Sequence, residues 1–122
     1  MTIICVDNTP IMLQSLRENA TKAFPCANVQ TFLTAESALN YAKEHGCDVL
    51  LCEINPPRLE GLFLAEKIQM INPRVNIIFV TVCSESEHAK AVMRLKPSGY
   101  LTKEATNSQI LEELRSLRYP VA

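Results

Sequence analysis

Six polar positions stand just behind apolar runs, and their types are those that handle charge. Asp7 and Asn8 follow Ile3-Ile4-Cys5-Val6; Glu53 and Asn55 follow Val49-Leu50-Leu51-Cys52; Thr81 follows Ile77-Ile78-Phe79-Val80; Lys103 closes Gly99-Tyr100-Leu101-Thr102. Two acids, amides, a hydroxyl and an ammonium would share one rim if each run is a strand of one parallel sheet. In open α/β sheets, ligands bind beyond the carboxyl ends of the strands, near the point where strand order reverses. The chain holds only two aspartates, Asp7 and Asp48, so one of them at a strand end carries information.

The elements that must position these residues are legible in the apolar pattern. Three short runs are apolar on both faces, as strands covered by helices on both sides require. Asn28 to Phe32 and Gly99 to Leu101 are weaker strand candidates. Between them run stripes of helical period: Leu13, Leu16, Ala20 and Phe24; Leu64, Ala65, Ile68 and Ile71; Ile110, Leu111, Leu114 and Leu117. Met12, Met70 and Met93 read as core fillers. Thr9-Pro10 reads as the N-cap and first residue of a helix, and Gly46 as a residue just past a helix end. Ser84 to Glu87 and Thr106 to Gln109 have capping-box spacing, and Pro73 stops the third helix. The reading is one (βα)5 domain, with right-handed crossovers placing helices on both faces of a five-stranded parallel sheet.

Composition excludes several classes. The 122 residues are 48% hydrophobic and 20% charged, with net charge −1, which argues against a nucleic-acid binder and a polyanionic tail. No apolar run approaches the roughly 18 residues of a membrane span, and a soluble, cytoplasmic protein is expected. Five cysteines form an odd set without a C-x-x-C pair, so reduced core thiols are expected at Cys5 and Cys52. A phosphocysteine carrier is disfavoured, since Cys5 lies inside its strand with Asp7 following. Three unclustered glycines leave no phosphate-cradling loop or dinucleotide fingerprint. His45 and His88 lie far apart and suggest no metal site. Lys90, Arg94, Lys96, Arg115 and Arg118, interleaved with Glu87, Glu112 and Glu113, read as a solvated face of the last two helices, or as a salt-laced homodimer contact.

Several segments together resemble the receiver domain of bacterial two-component response regulators. They are Ile4 to Pro10, Asp48 to Pro57 with Glu60-Gly61, Ile78 to Thr81, and Ser98 to Lys103. The stretch from Ile71 through Pro120 is similar to receivers that precede LytTR-type DNA-binding domains. The resemblance covers residues 2 to 119, leaving 120–122 as a tail or the start of a linker. It implies a flavodoxin-like fold of strand order 2-1-3-4-5. It also implies a signalling module, not an enzyme, that works in a phosphorelay and in transcription regulation. By position, Glu53 matches the phosphoacceptor; Asp7, Asn8 and Asn55 match the acidic, metal-binding pocket; Thr81 and Lys103 match the phosphoryl contacts; Tyr100 matches the switch aromatic. The implied partners are a sensor histidine kinase and an output domain or partner protein. The output domain is DNA-binding, so this domain itself need not touch nucleic acid.

Four departures from that pattern bear on function. Glu53 replaces the usual Asp, Asn8 replaces one acid, Val82 replaces a small residue, and Glu104 replaces the Pro after the lysine. Glutamate's extra methylene moves the carboxylate by about 1.5 Å, and in-line phosphoryl transfer loses about 10²-fold for an error near 1 Å. Losing an acid at Asn8 weakens a site for a hard cation, leaving Asp7 and Glu53 with weak or absent Mg²⁺. No cofactor is therefore required. The expectation is that Glu53 reaches Lys103 and Thr81 and partly replaces a phosphoryl group, giving an activated-like state without a kinase. One charge pair at 4 Å is worth about 4 kcal/mol at an effective dielectric near 20, before desolvation. The alternatives are a water-facing Glu53, and a receiver that retains weak Mg²⁺-dependent phosphoacceptor activity.

Overall fold

The three two-sided apolar runs form the centre of a sheet, and polar strand ends gather at one side of it. The computed structural model describes residues 1–54, 59–82 and 89–121. In chain order the elements are β1 (Thr2–Val6), α1 (Pro10–Ala23), β2 (Asn28–Phe32), α2 (Ala35–His45), β3 (Val49–Cys52), α3 (Glu60–Ile71), β4 (Asn76–Thr81), α4 (Ala89–Arg94), β5 (Gly99–Thr102) and α5 (Asn107–Leu114). The sheet order is β2-β1-β3-β4-β5, and every pairing is parallel. Order reverses between β1 and β3, which puts the switch point between Asp7 and Glu53.

Alternation along the central strands divides the interior in two. Ile4, Val6, Leu50, Cys52, Ile77 and Phe79 pack with the inner residues of α2 and α3. Ile3, Cys5, Val49, Leu51, Ile78 and Val80 point the other way, against α1 and α5. β2 and β5 are only partly buried because each is an edge strand with a neighbour on one side. That is why their apolar signal is weak. Burial pushes the Cys5 thiol up to about 12 and raises Cys47 and Cys52 as well, which suits inert core thiols; Cys26 is exposed.

The helix ends follow their expected chemistry with one exception. Thr106 accepts from the Gln109 N–H at 3.2 Å, and the Gln109 side chain accepts from the Thr106 N–H at 2.8 Å, completing a capping box. Gly46 ends α2 with φ +76°, and its N–H reaches the Ala42 carbonyl. Thr34 caps α2 through the Ser37 N–H, a role the sequence reading did not assign. Thr9 holds the N-cap position of α1, but its hydroxyl donates to Asn8 Oδ1 instead of capping. The Ser84 to Glu87 spacing, like Cys83 and His88, lies outside the described residues.

Three further expectations are corrected. Met70 is 82% exposed and Met93 68%, so neither fills the core, although Met12 does pack against it. Ile71 is 42% exposed, because Leu64, Ala65 and Ile68 already complete the inner stripe of α3. α4 ends at Arg94 and α5 at Leu114, so Lys96, Arg115 and Arg118 lie beyond helical ends, and Lys96 has a positive φ of 50°. His45 leans on the Tyr41 ring at 4.3 Å, away from any metal-ligating cluster among the described residues.

After α5 the chain returns to the opposite end of the sheet from the polar rim. The buried Asn76 side chain at the start of β4 grips the Tyr119 backbone, donating to its carbonyl at 2.9 Å and accepting from its N–H at 2.7 Å. Ser98 Oγ donates to Asn76 Oδ1 at 2.9 Å and accepts from the Arg118 N–H at 3.1 Å. Removing one partner of a buried hydrogen bond leaves the other unsatisfied and costs about 1–3 kcal/mol. Asn76→Ala should therefore lower unfolding free energy by about 2 kcal/mol in urea titrations, and trypsin should cleave after Arg118 sooner than in the parent.

Candidate functional site

Parallel pairing delivers the ends of β1, β3, β4 and β5 to the same rim, so the residue following each strand is placed by register. The Glu53 N–H donates to the Val6 carbonyl at 3.2 Å, and the Lys103 N–H to the Thr81 carbonyl at 2.8 Å. These bonds carry the ladder one residue past the strands and fix the backbone from which Glu53 and Lys103 project.

The Lys103 ammonium is the centre of the site. Its Nζ lies 2.6 Å from Glu53 Oε1, 3.2 Å from Asp7 Oδ1 and 3.1 Å from Asp7 Oδ2. Asp7 is 1% exposed. Its Oδ1 also accepts from the Thr9 N–H at 2.8 Å, an Asx turn that leads into α1. Asp7 Oδ2 makes no hydrogen bond; its contact with the ammonium is a charge contact at poor angle. Glu53 Oε2 accepts a long bond, 3.4 Å, from the Asn8 N–H. Burial acts to lower the Lys103 pKa, but hydrogen bonds and charge from Glu53 and Asp7 outweigh it, and the pKa is raised.

Each expected site residue can now be placed. Asp7, Glu53 and Lys103 come together, and the Asn8 backbone joins them. The Asn8 side chain accepts from the Thr9 hydroxyl. Thr81 is fully buried and donates to the Ile54 carbonyl at 3.2 Å. Tyr100 packs half-buried against the first core, its ring 6.3 Å from that of Phe79. Val82 is 67% exposed. Asn55 lies outside the described residues.

Gly61 is a site residue to which the sequence reading gave no role. A Cβ added there would sit 1.6 Å from the Glu53 carbonyl oxygen and 2.9 Å from Cys52 Sγ, so α3 closes on β3 only because position 61 has no side chain. The Cys52 thiol donates to the carbonyls of both Glu53 and Gly61 at 3.4 Å, tying the same three residues together. Its signal was rarity: a lone glycine opening an apolar helix is unexplained by helix propensity.

Among the described residues the donor set does not fit a hard dication. Such ions take about six oxygens, commonly from carboxylates. Here both Glu53 oxygens and Asp7 Oδ1 are engaged, and the one unbonded oxygen, Asp7 Oδ2, faces an ammonium. No cluster of three acid, His or Cys side chains suited to a metal occurs among the described residues. The crevice lined by Asp7, Asn8, Leu33, Glu53 and Gly61 has a volume of about 20 Å³, room for about one water. A groove of about 680 Å³ lies between α1 and the end of β2, with Arg17 its one charged lining residue. It meets the crevice at Leu33 but contains none of Asp7, Glu53 or Lys103 in its lining.

Two measurements test this geometry. Gly61→Ala must push α3 off the Glu53 carbonyl, and should cost about 3 kcal/mol in urea denaturation. The raised pKa of Lys103 fixes a second outcome. Its stabilisation is complete below its ordinary value of 10.5 and is lost as pH rises through the higher folded value. The stability gap between the parent and Lys103→Met should thus stay constant at neutral pH and shrink only above 10.5.

Comparison with known proteins gives a consistent picture. The family model for the response regulator receiver domain matches residues 3–115. The response regulator GacA of Pseudomonas aeruginosa is 29% identical over 82 residues, and UvrY of Escherichia coli K12 is 30% identical over 82 residues. Each alignment takes in 67% of this chain and 38% of the relative, so the chain spans well under half the length of these proteins. A CheY-like receiver domain protein from Methanospirillum hungatei shares the fold, with a TM-score of 0.81 and 24% identity over 93% of this chain and 90% of that one.

Proposed function

The chain belongs to the response regulator receiver family, a signalling domain of two-component systems, and we propose that it is a receiver in which Glu53 does the work of a phosphoryl group. Glu53 occupies the phosphoacceptor position. Its carboxylate holds Lys103, the cation that would otherwise meet a phosphoryl oxygen, and so keeps the rim in an activated-like state without a kinase. The observation that carries this reading is the 2.6 Å ion pair between Glu53 and Lys103. A water-facing Glu53 is not compatible with that distance.

Three further observations support it. The Glu53 side chain is only 10% exposed, so a phosphodonor has little access to it. The crevice beside it has no room for a transferred group. Tyr100 packs inward on the first core, the position expected of a switch aromatic in its engaged state. A pair at this separation and partial burial is worth a few kcal/mol before desolvation, the scale on which two-state equilibria are biased. In this reading the domain needs no metal, catalyses nothing, and acts by presenting a fixed face to an output domain, DNA-binding in kind, or to a partner protein.

Intact-mass analysis after incubation with acetyl phosphate and Mg²⁺ tests the reading. The expected result is the unmodified mass, with Tyr100 ring resonances unchanged by the treatment and displaced in Glu53→Gln. A stable gain of one phosphoryl mass on Glu53 or Asp7 would replace this reading by that of a receiver with weak Mg²⁺-dependent acceptor activity.

A further inference from the structure

α3 carries a buried apolar stripe and, on its outer side, a second stripe in which exposed apolar residues flank a charged pair. Gly61, Leu62, Leu64, Ala65 and Ile68 face the core. At about 100° per residue, Phe63, Glu66, Lys67 and Met70 fall within one outward arc, with Ile71 at its edge. Phe63 is 51% exposed, Met70 82% and Ile71 42%. Exposed large apolar side chains gathered on one helical face, rimmed by charge, mark an interaction surface. Beside Phe63 a groove of about 470 Å³ opens towards α2, lined by Ala35, Leu39, Leu64 and Lys67 and edged by Glu36 and Glu60.

The order of charges along this stripe says what covers it. A two-fold axis normal to the helix between Glu66 and Lys67 lays one α3 antiparallel on another. It then sets Phe63 against Met70 of the copy, and Glu66 against Lys67 of the copy, each contact occurring twice. Sulfur over an aromatic ring and an acid beside an amine are both favourable pairings. A single axis satisfies all four residues, which is the self-complementarity that an isologous interface requires. A stripe built for an unrelated partner has no reason to be its own complement.

We propose that the outer face of α3 is a homodimer interface, formed by antiparallel packing of α3 on its two-fold mate, with the α2–α3 groove accepting the flank of the copy. This surface is distinct from the face of the last two helices considered from the sequence, and the proposal does not depend on how Glu53 is read. The first turn of α3 sets Gly61 against the Glu53 carbonyl, so the interface begins where the charged rim ends.

Sedimentation equilibrium of the 122-residue chain, from about 1 µM to about 1 mM, tests it. The expected result is a monomer–dimer equilibrium. Phe63→Glu and Met70→Glu should each weaken it by at least about tenfold with unchanged circular dichroism, since both side chains are exposed. Glu66→Lys or Lys67→Glu alone should also weaken association, and the double variant E66K/K67E should restore it, a signature of opposed charges across the axis. A chain that stays monomeric throughout overturns the proposal. So does a dimer indifferent to these changes but abolished by Arg94→Glu, and so does a failure of the double variant to recover what each single change lost.

Discussion

One ammonium holds three strand ends together. Lys103 follows β5, Asp7 follows β1 and Glu53 follows β3, and the shared charge lets two carboxylates approach at the switch point of the sheet. Without it, two acids this close would repel, and the nearly fully buried Asp7 carboxylate would stand unpaired at a cost of several kcal/mol. The Asx turn that launches α1 and the bond from the Asn8 N–H both lean on these carboxylates. The start of α1 and the exit of β3 are thereby tied to the same lysine.

Most of the fold was legible because the strands sort by burial. Val49 to Cys52 and Ile77 to Val80 are apolar on both faces, and only a sheet covered on both sides hides both. Asn28 to Phe32 read weakly, as an edge strand does. Helix boundaries followed side-chain chemistry at Thr106 and Gly46. Thr9 and Pro10 stand at the N-cap and the start of α1 as read, but that the Thr9 hydroxyl turns to Asn8 Oδ1 and not to the first-turn N–H groups is invisible in a linear string. Met70 and Met93 were assigned inward on hydrophobicity alone, and Ile71 on helical period. Helical phase turns Met70 away from the stripe that Leu64, Ala65 and Ile68 fill; Ile71 is in phase with Leu64 but is the last residue of α3, where little packs over it; and Met93 points outward from a helix too short for its phase to be read.

The site was legible as a list of residues but not as a set of bonds. Strand ends announced Asp7, Glu53, Thr81 and Lys103, because register carries a strand's terminal residue to a fixed rim. That Glu53 takes Lys103 at 2.6 Å while Thr81 turns to the Ile54 carbonyl depends on side-chain torsions, which periodicity does not encode. Gly61 illustrates the reverse problem. Its function is an absence of atoms, and only the approach of the Glu53 carbonyl to 1.6 Å of its missing Cβ reveals it.

The Asn76 clamp on Tyr119 gives the molecule two poles. The charged residues crown the ends of β1, β3 and β5, beside Thr81 at the end of β4, while the last turn of chain is stitched to the start of β4, about 20 Å away for a six-residue strand. β4 is buried along its whole length and hydrogen-bonded on both edges, so it behaves as a stiff strut. A displacement of Thr81 has little slack to be absorbed in before it reaches Asn76. Mechanically, the terminal segment sits at the far end of a push-rod whose near end is the pocket floor.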